Sequence, residues 1–229
     1  MSASVQPRQG RPPATDHASI ERAAFALFAE RGFEATTLDD IAAAAGVGRR
    51  TLFRYYASKN DIPWGQFDQS LVRLRAHLEA APRSTPVYRA VHDAVLAFNR
   101  FDPEAIDQHR QRMRLLLTTP ALQAHSVLRY AQWRATIAEF VAARLGLAGT
   151  DLLPRTIGQV TLAISLSAYE CWLERDEPLE RLLDAALDTV VGYYGTPQWT
   201  SARDLKGVRA AGTTKAPHRS TARRPGRTS

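Results

Sequence analysis

The chain has 229 residues, 45% of them hydrophobic, and a formal net charge of +7. That is enough apolar material for a sizeable core, while the absence of any apolar run of about 18 residues argues against a membrane span. The single cysteine, Cys171, rules out a disulfide within the chain and fits a reducing cytoplasm. In its apolar surroundings it reads as a buried, inert thiol.

The charge is unevenly placed. Residues 196–229 carry Arg203, Lys206, Arg209, Lys215, Arg219, Arg223, Arg224 and Arg227 against Asp204 alone. The basicity therefore lies in a polar tail that reads as disordered, and such tails favour polyanions without reading sequence. The first 16 residues read as a second disordered arm. Arg8 and Arg11 there are followed by no apolar stretch, so no secretory signal is expected. The six histidines show no metal-ligand spacing with acids or cysteine along the chain. Neither a metal nor a cofactor is expected.

The periodicity is helical throughout. Ile20, Ala24, Leu27 and Phe28 mark one face of a first helix, with Asp16 or Ser19 as its cap and Gly32 as its stop. Thr37-Leu38-Asp39-Asp40 opens a second helix with a capping-box pattern, and Gly46 ends it. A third, short helix runs from about 49 to 55. Ser58-Lys59-Asn60-Asp61 starts a long fourth helix to about Ala81, which Pro63 either shortens or kinks. Further helices are expected at about 85–99, 103–117, 120–145, 152–175 and 178–194, with Pro86, Pro103, Pro120 and Pro178 marking four of the starts. The fold class is all-α.

The second and third helices, joined by Gly46-Val47-Gly48, have the spacing of a helix-turn-helix. Leu38, Ile41, Ala42, Val47 and Leu52 can close a small core against Leu27, Phe28 and Phe33. The outward side of the third helix then shows Arg49, Arg50, Thr51, Phe53, Arg54 and Tyr55. Arginine can donate two hydrogen bonds to a guanine edge in the major groove. Thr51 suits a thymine methyl or a phosphate, and Thr36, Thr37, Tyr55 and Lys59 suit the phosphate backbone. The candidate DNA-binding set is Thr36, Thr37, Arg49, Arg50, Thr51, Phe53, Tyr55 and Lys59.

Phe28-Ala29-Glu30-Arg31-Gly32-Phe33-Glu34-Ala35-Thr36-Thr37, then Ile41-Ala42, Ala45-Gly46-Val47 and Thr51 to Lys59, resemble the TetR family of regulators over about residues 17–62. The resemblance implies a three-helix DNA-binding unit at 17–62 and a helical unit for effector binding and dimerisation at 63–195. It also implies a long fourth helix as connector, and a dimer built on the last two helices. Gly48 stands where the family often has serine. Tyr55 to Asp68 is similar, more narrowly, to regulators of the mycofactocin gene cluster, which implies acyl-coenzyme A thioesters as effectors.

Small residues on the eighth helix (Gly158, Thr161, Ser165, Ala168) and apolar ones on the ninth (Leu183, Leu187, Val190) are the candidate dimer contacts. Candidate walls of an effector pocket are Trp64, Phe67, Leu71, Phe98, Leu116, Trp133, Ile137 and Trp172. Basic partners for a phosphate are Arg114 and Arg129, with His109, Arg110 and Arg112 nearby. No catalytic constellation is visible, so the chain does not read as an enzyme. The expected function is a cytoplasmic, ligand-responsive repressor that binds a palindromic duplex operator as a homodimer. The alternatives are an activator of the same fold or a non-specific DNA-binding protein.

Overall fold

The computed structural model describes residues 16–65 and 67–194. The expected N-terminal arm up to residue 15, Gln66 and the basic tail lie outside the described residues, as do the side chains from Val190 onward.

Helix α1 spans His17–Arg31. Asp16 is its N-cap, accepting a 2.7 Å hydrogen bond from the Ser19 amide, while the Ser19 hydroxyl oxygen accepts from the Asp16 amide. The two candidate caps therefore act together. Thr37 and Asp40 form the same reciprocal box at the start of α2, Leu38–Ala44. After a turn in which the Val47 amide bonds Ala42 O at 2.9 Å, α3 runs over Arg49–Tyr55. Ile20, Ile41 and Leu52 are fully buried at the junction of the three helices, with Phe28 and Phe33 against them.

The long fourth helix expected from Ser58 to Ala81 is instead two pieces. Lys59–Trp64 winds as a 3-10 turn that contains Pro63, Gly65 takes φ +55°, and α4 begins only at Phe67 and ends at Ala80. The capping box at Ser58 and Asp61 forms as expected. Proline and a left-handed glycine then prevent the turn from continuing as α-helix.

The remaining helices follow the expected spans closely: α5 Val87–Phe98, α6 Ile106–Thr118 after a 3-10 turn at Pro103–Ala105, α7 Pro120–Leu145, α8 Leu152–Glu174 and α9 Leu179–Tyr194. No strand occurs among the described residues. Helix α8 is layered between α7 and α9, α4 packs on α5 and α7, and α6 leans on α7, α8 and α1. No described helix is long and apolar enough to cross a membrane.

The small residues of α8 do allow close helix approach, but within the protomer. A Cβ at Gly158 would lie 2.7 Å from Arg134 O of α7. Thr161, Ser165 and Ala168 are buried on the same side, with the Thr161 and Ser165 hydroxyls bonded back to Ile157 O and Thr161 O. Leu183 and Leu187 of α9 also belong to the protomer's own core. These six candidates are therefore spent on packing α7, α8 and α9 together, and are not available to a second chain. The outward stripe of α8 is Thr156, Val160, Ala163 and Ser167, with Ala185 exposed on α9.

Candidate DNA-binding face and ligand cavity

Burial of Leu52 turns the rest of α3 outward. Arg49, Arg50, Phe53 and Arg54 are exposed, and Thr51 and Tyr55 are half-buried. Arg49 reaches back to Asp39 at 2.9 Å, an exposed pair of the kind that contributes at most about 1 kcal/mol. It also lies over the Phe53 ring, 5.6 Å from the centroid. That pair can be exchanged for another anion. Arg50 makes no ion pair among the described residues. Thr37 is exposed beside this helix, with its amide and hydroxyl held by Asp40.

Two candidates of the DNA-binding set are occupied elsewhere. Thr36 is 1% exposed, and its hydroxyl donates to Gly32 O at 2.8 Å. The Lys59 ammonium donates to Phe33 O at 2.7 Å, Thr36 O at 2.9 Å and Glu34 O at 3.3 Å, and stands 4.4 Å from the Phe33 ring centroid. Three donors thus meet three carbonyls, so Lys59 ties the 3-10 turn to the α1–α2 corner and has no free N–H for a phosphate. Lys59→Met should accordingly lower stability by about 1.5–3 kcal/mol, the range for hydrogen bonds to a charged group. Urea unfolding monitored by circular dichroism reads this. An unchanged midpoint would return Lys59 to the surface role.

The turn after α3 is anchored on its other side as well. Asp61 accepts from Ser58 at 2.8 Å and meets His125 at 3.0 Å and Arg129 at 3.5 Å, both on α7. Burial opposes its ionisation, but the hydrogen bonds from Ser58 and His125 outweigh that and hold the carboxyl below its usual range. Arg129 also pairs with Asp68 at 3.0 Å.

A cavity of about 400 Å³ opens between α4, α5, α6, α7 and α8. Of the pocket candidates, Trp64, Phe67, Phe98, Leu116 and Trp133 line it. Leu71, Ile137 and Trp172 are core, Arg129 holds Asp61 and Asp68, and Arg114 is exposed on α6 away from it. Arg110 does not face it either: it caps α8 through Trp172 O at 2.6 Å, stacked 4.4 Å over the Trp172 ring. His109 and Arg112 do line the cavity, with Glu21, Asn99, Tyr130 and Tyr169, which the sequence did not single out. Exposed Arg73, His77 and Arg100 also border it. The buried Trp64 Nε1 has no acceptor among the described residues.

The polar groups of the cavity form two sets. In the first, His109 stacks on Phe101 at 3.8 Å between centroids and meets the Tyr169 hydroxyl at 2.9 Å. Tyr169 in turn donates to Asn99. Burial, and then the charge of Arg112, push His109 down to about 3, so the imidazole is neutral at pH 7. Between about pH 6.5 and 3 the unfolded chain binds a proton that the folded one refuses. The folded state therefore loses up to about 1.4 kcal/mol per pH unit as pH falls through that window. His109→Gln should flatten this acid limb in pH-dependent unfolding. A limb of unchanged slope would show that other groups dominate it.

In the second set, Arg112 of α6 forms an ion pair with Glu21 of α1, donates to Pro63 O at 3.1 Å, and lies 5.2 Å over the Phe25 ring. The other Glu21 oxygen accepts from the Tyr56 hydroxyl at 2.9 Å. Tyr56 is the C-cap of α3, and its hydroxyl is 3.1 Å from His17 Nδ1. Burial and the Glu21 charge both raise the Tyr56 phenol well above its usual range, so it stays a donor. A residue of the cavity wall is thus two hydrogen-bonded steps from the end of α3. The two halves of the ion pair are 91 positions apart in the chain, beyond the reach of any local motif.

Comparison with known proteins bears on both regions. Residues 20–62 match the tetR family of bacterial regulatory proteins, and residues 85–194 match the MftR C-terminal domain. A Mycobacterium tuberculosis protein provisionally described as mycofactocin biosynthesis transcriptional regulator MftR is 49% identical over 80% of this chain and 93% of its own. The transcriptional regulator TcmR of Streptomyces glaucescens is 32% identical over 74% and 80%. Among solved structures, the SmeT–triclosan complex, SmeT being the efflux-pump repressor of Stenotrophomonas maltophilia, shares the fold at a TM-score of 0.57, with 20% identity over 77% of this chain and 90% of that one. The fatty acid degradation regulator FadR of Bacillus halodurans shares it at 0.58, with 19% identity over 77% and 98%. Regulators of this kind bind DNA as dimers and respond to small-molecule effectors. With its helix-turn-helix exposed at one end and a cavity enclosed by its later helices, the chain belongs to the TetR family of transcriptional regulators, in the branch that carries the MftR C-terminal domain.

Proposed function

We propose that the protein is a ligand-responsive repressor that binds a palindromic operator as a homodimer and releases it when an acyl-coenzyme A thioester enters the cavity. Residues 17–62 form the DNA-reading unit and 63–195 the sensing and dimerising one, with the 3-10 turn Lys59–Trp64 lying across their boundary. Arg49 and Arg50 read base edges, Thr51, Phe53 and Tyr55 flank them, and Thr37 meets the backbone. Dimerisation uses the outward stripe of α8 around Val160 and Ala163 with Ala185 of α9, because the inward stripe is consumed by the protomer's own core.

The observation that carries the sensing is the double membership of Arg112, which lines the cavity and also holds Glu21 against Tyr56. An acyl chain suits the walls of Trp64, Phe67, Phe98 and Trp133, and its thioester carbonyl suits Arg112 and the Trp64 donor. Arg73 and Arg100 suit the phosphates of the coenzyme. A ligand that draws Arg112 away from Glu21 loosens α1 and the end of α3 together, and it shifts the balance only by its differential affinity for the two arrangements. Selection of bound duplexes from a random pool, followed by titration of acyl-coenzyme A of graded chain length into a gel shift, tests both parts. A palindromic consensus and at least tenfold release support the proposal. A consensus without release removes the effector and leaves the DNA reading intact.

A further inference from the structure

Away from the cavity, where α5 meets α9, His92 is 3% exposed and directs Nε2 toward two carboxylates, Asp184 Oδ1 at 3.1 Å and Asp188 Oδ1 at 3.6 Å. These aspartates stand one turn apart on α9. Nε2 is buried and has no hydrogen-bond partner among the described residues. On the far side of the ring, Nδ1 is 3.3 Å from Asp93 Oδ1, and that carboxylate is held by Arg89 at 3.1 Å. The expectation that no histidine shares a metal-ligand arrangement with acids holds along the chain but not in space, since these residues lie on helices 92 or more positions apart.

The chemistry of this corner is asymmetric. Asp93 can accept the ring proton from Nδ1, which fixes the tautomer whose Nε2 carries a lone pair. A carboxylate behind a histidine is a recurring support for a metal ligand. The lone pair then faces two carboxylate oxygens. His92 Nε2 and the two carboxylate oxygens converge on one point, and the two aspartates are half or more exposed, so an ion can enter from solvent. Ligands held about 2.0–2.1 Å from one ion lie roughly 2.8–3.4 Å apart when adjacent in octahedral or tetrahedral arrangements. The two distances from Nε2, 3.1 and 3.6 Å, fall in that range or within a few tenths of an ångström of it.

We propose that His92, Asp184 and Asp188 form a binding site for a divalent transition cation such as Zn²⁺, with Asp93 as the carboxylate that orients His92. One imidazole and two carboxylates leave a fourth position for water. The set has no thiolate, so it suits Zn²⁺, Co²⁺ or Mn²⁺ and not a soft monovalent ion. Because the aspartates are on α9 and the histidine is on α5, a bound ion cross-links two helices, independently of the effector cavity.

Isothermal titration of the full chain with Zn²⁺, after chelator treatment and dialysis, tests the site. The expected result is one ion per chain at this site, an affinity that rises with pH as the competing proton leaves, and a higher Tm in the presence of Zn²⁺. Asp184→Asn and Asp188→Asn are surface changes that leave the fold intact by circular dichroism, and each should weaken binding at least tenfold. Asp93→Asn should weaken it less. His92→Gln should abolish binding, but the aspartate variants carry the conclusion if that buried change impairs folding. Absence of Zn²⁺ binding, or binding equal in the wild type and the Asp184→Asn/Asp188→Asn double variant, overturns the proposal. In those cases the space between the three groups belongs to a proton, or the ion is held by other histidines.

Discussion

Arg112→Met should lower the stability of the folded chain by about 3–5 kcal/mol, because it leaves Glu21 buried with its charge uncompensated. Glu21 is 8% exposed, so without the guanidinium its carboxylate keeps little contact with solvent. The loss should be largely undone in the double variant Glu21→Met/Arg112→Met, since replacing both members of a buried pair with apolar groups is often neutral. The double variant separates stability from signalling. If the pair is the link between cavity and α3, it should still bind the operator yet no longer release it on adding an acyl-coenzyme A. Urea unfolding of the four members of the cycle gives the coupling energy, and gel shifts of the same proteins give the response. A double variant that folds, binds and still responds would place the signal elsewhere, along the Asp61 contacts to α7.

Arg49→Ala and Arg50→Ala should each reduce affinity for the selected operator by about 1–3 kcal/mol while changing affinity for random duplex much less, the pattern of a residue that reads a base. Arg50, with no ion pair to give up among the described residues, should show the larger effect. Arg49 first has to leave Asp39, so Asp39→Ala should strengthen binding slightly. If either substitution weakens all sequences alike and lowers the salt dependence by about one ion, that residue holds a phosphate instead. Fluorescence anisotropy across a salt series distinguishes the two.

The helices were legible in the sequence because their signals are local. Thr37 with Asp40 marks the start of α2 to the residue, Asp16 and Ser19 bracket that of α1, and apolar spacing gives α5 to α9 within a few positions. What escaped depends on how elements face each other. The stripe from Gly158 to Ala168 has the small residues that any close helix contact needs, and nothing local says whether the neighbour is α7 or a second chain. Lys59 follows the recognition helix as a phosphate-binding lysine would, but the 3-10 turn swings its ammonium onto three carbonyls of the α1–α2 corner. Part of the cavity wall, Trp64, Phe67, Phe98, Leu116 and Trp133, was foreseen, since aromatic residues on several helices must meet somewhere. Glu21 was not, because on α1 it reads as an ordinary surface acid until Arg112 is laid over it.

Gly65 shows what this arrangement demands of the chain. Its φ of +55° already disfavours any side chain, and a Cβ there would fall 2.5 Å from Arg112 Nη1 and 3.0 Å from Glu21 Oε1. Even a methyl group would act as a built-in wedge, prising apart the pair that an effector is proposed to separate. A genetic selection for permanently derepressed mutants, run with no inducer present, should therefore return to position 65 more often than to the cavity wall itself.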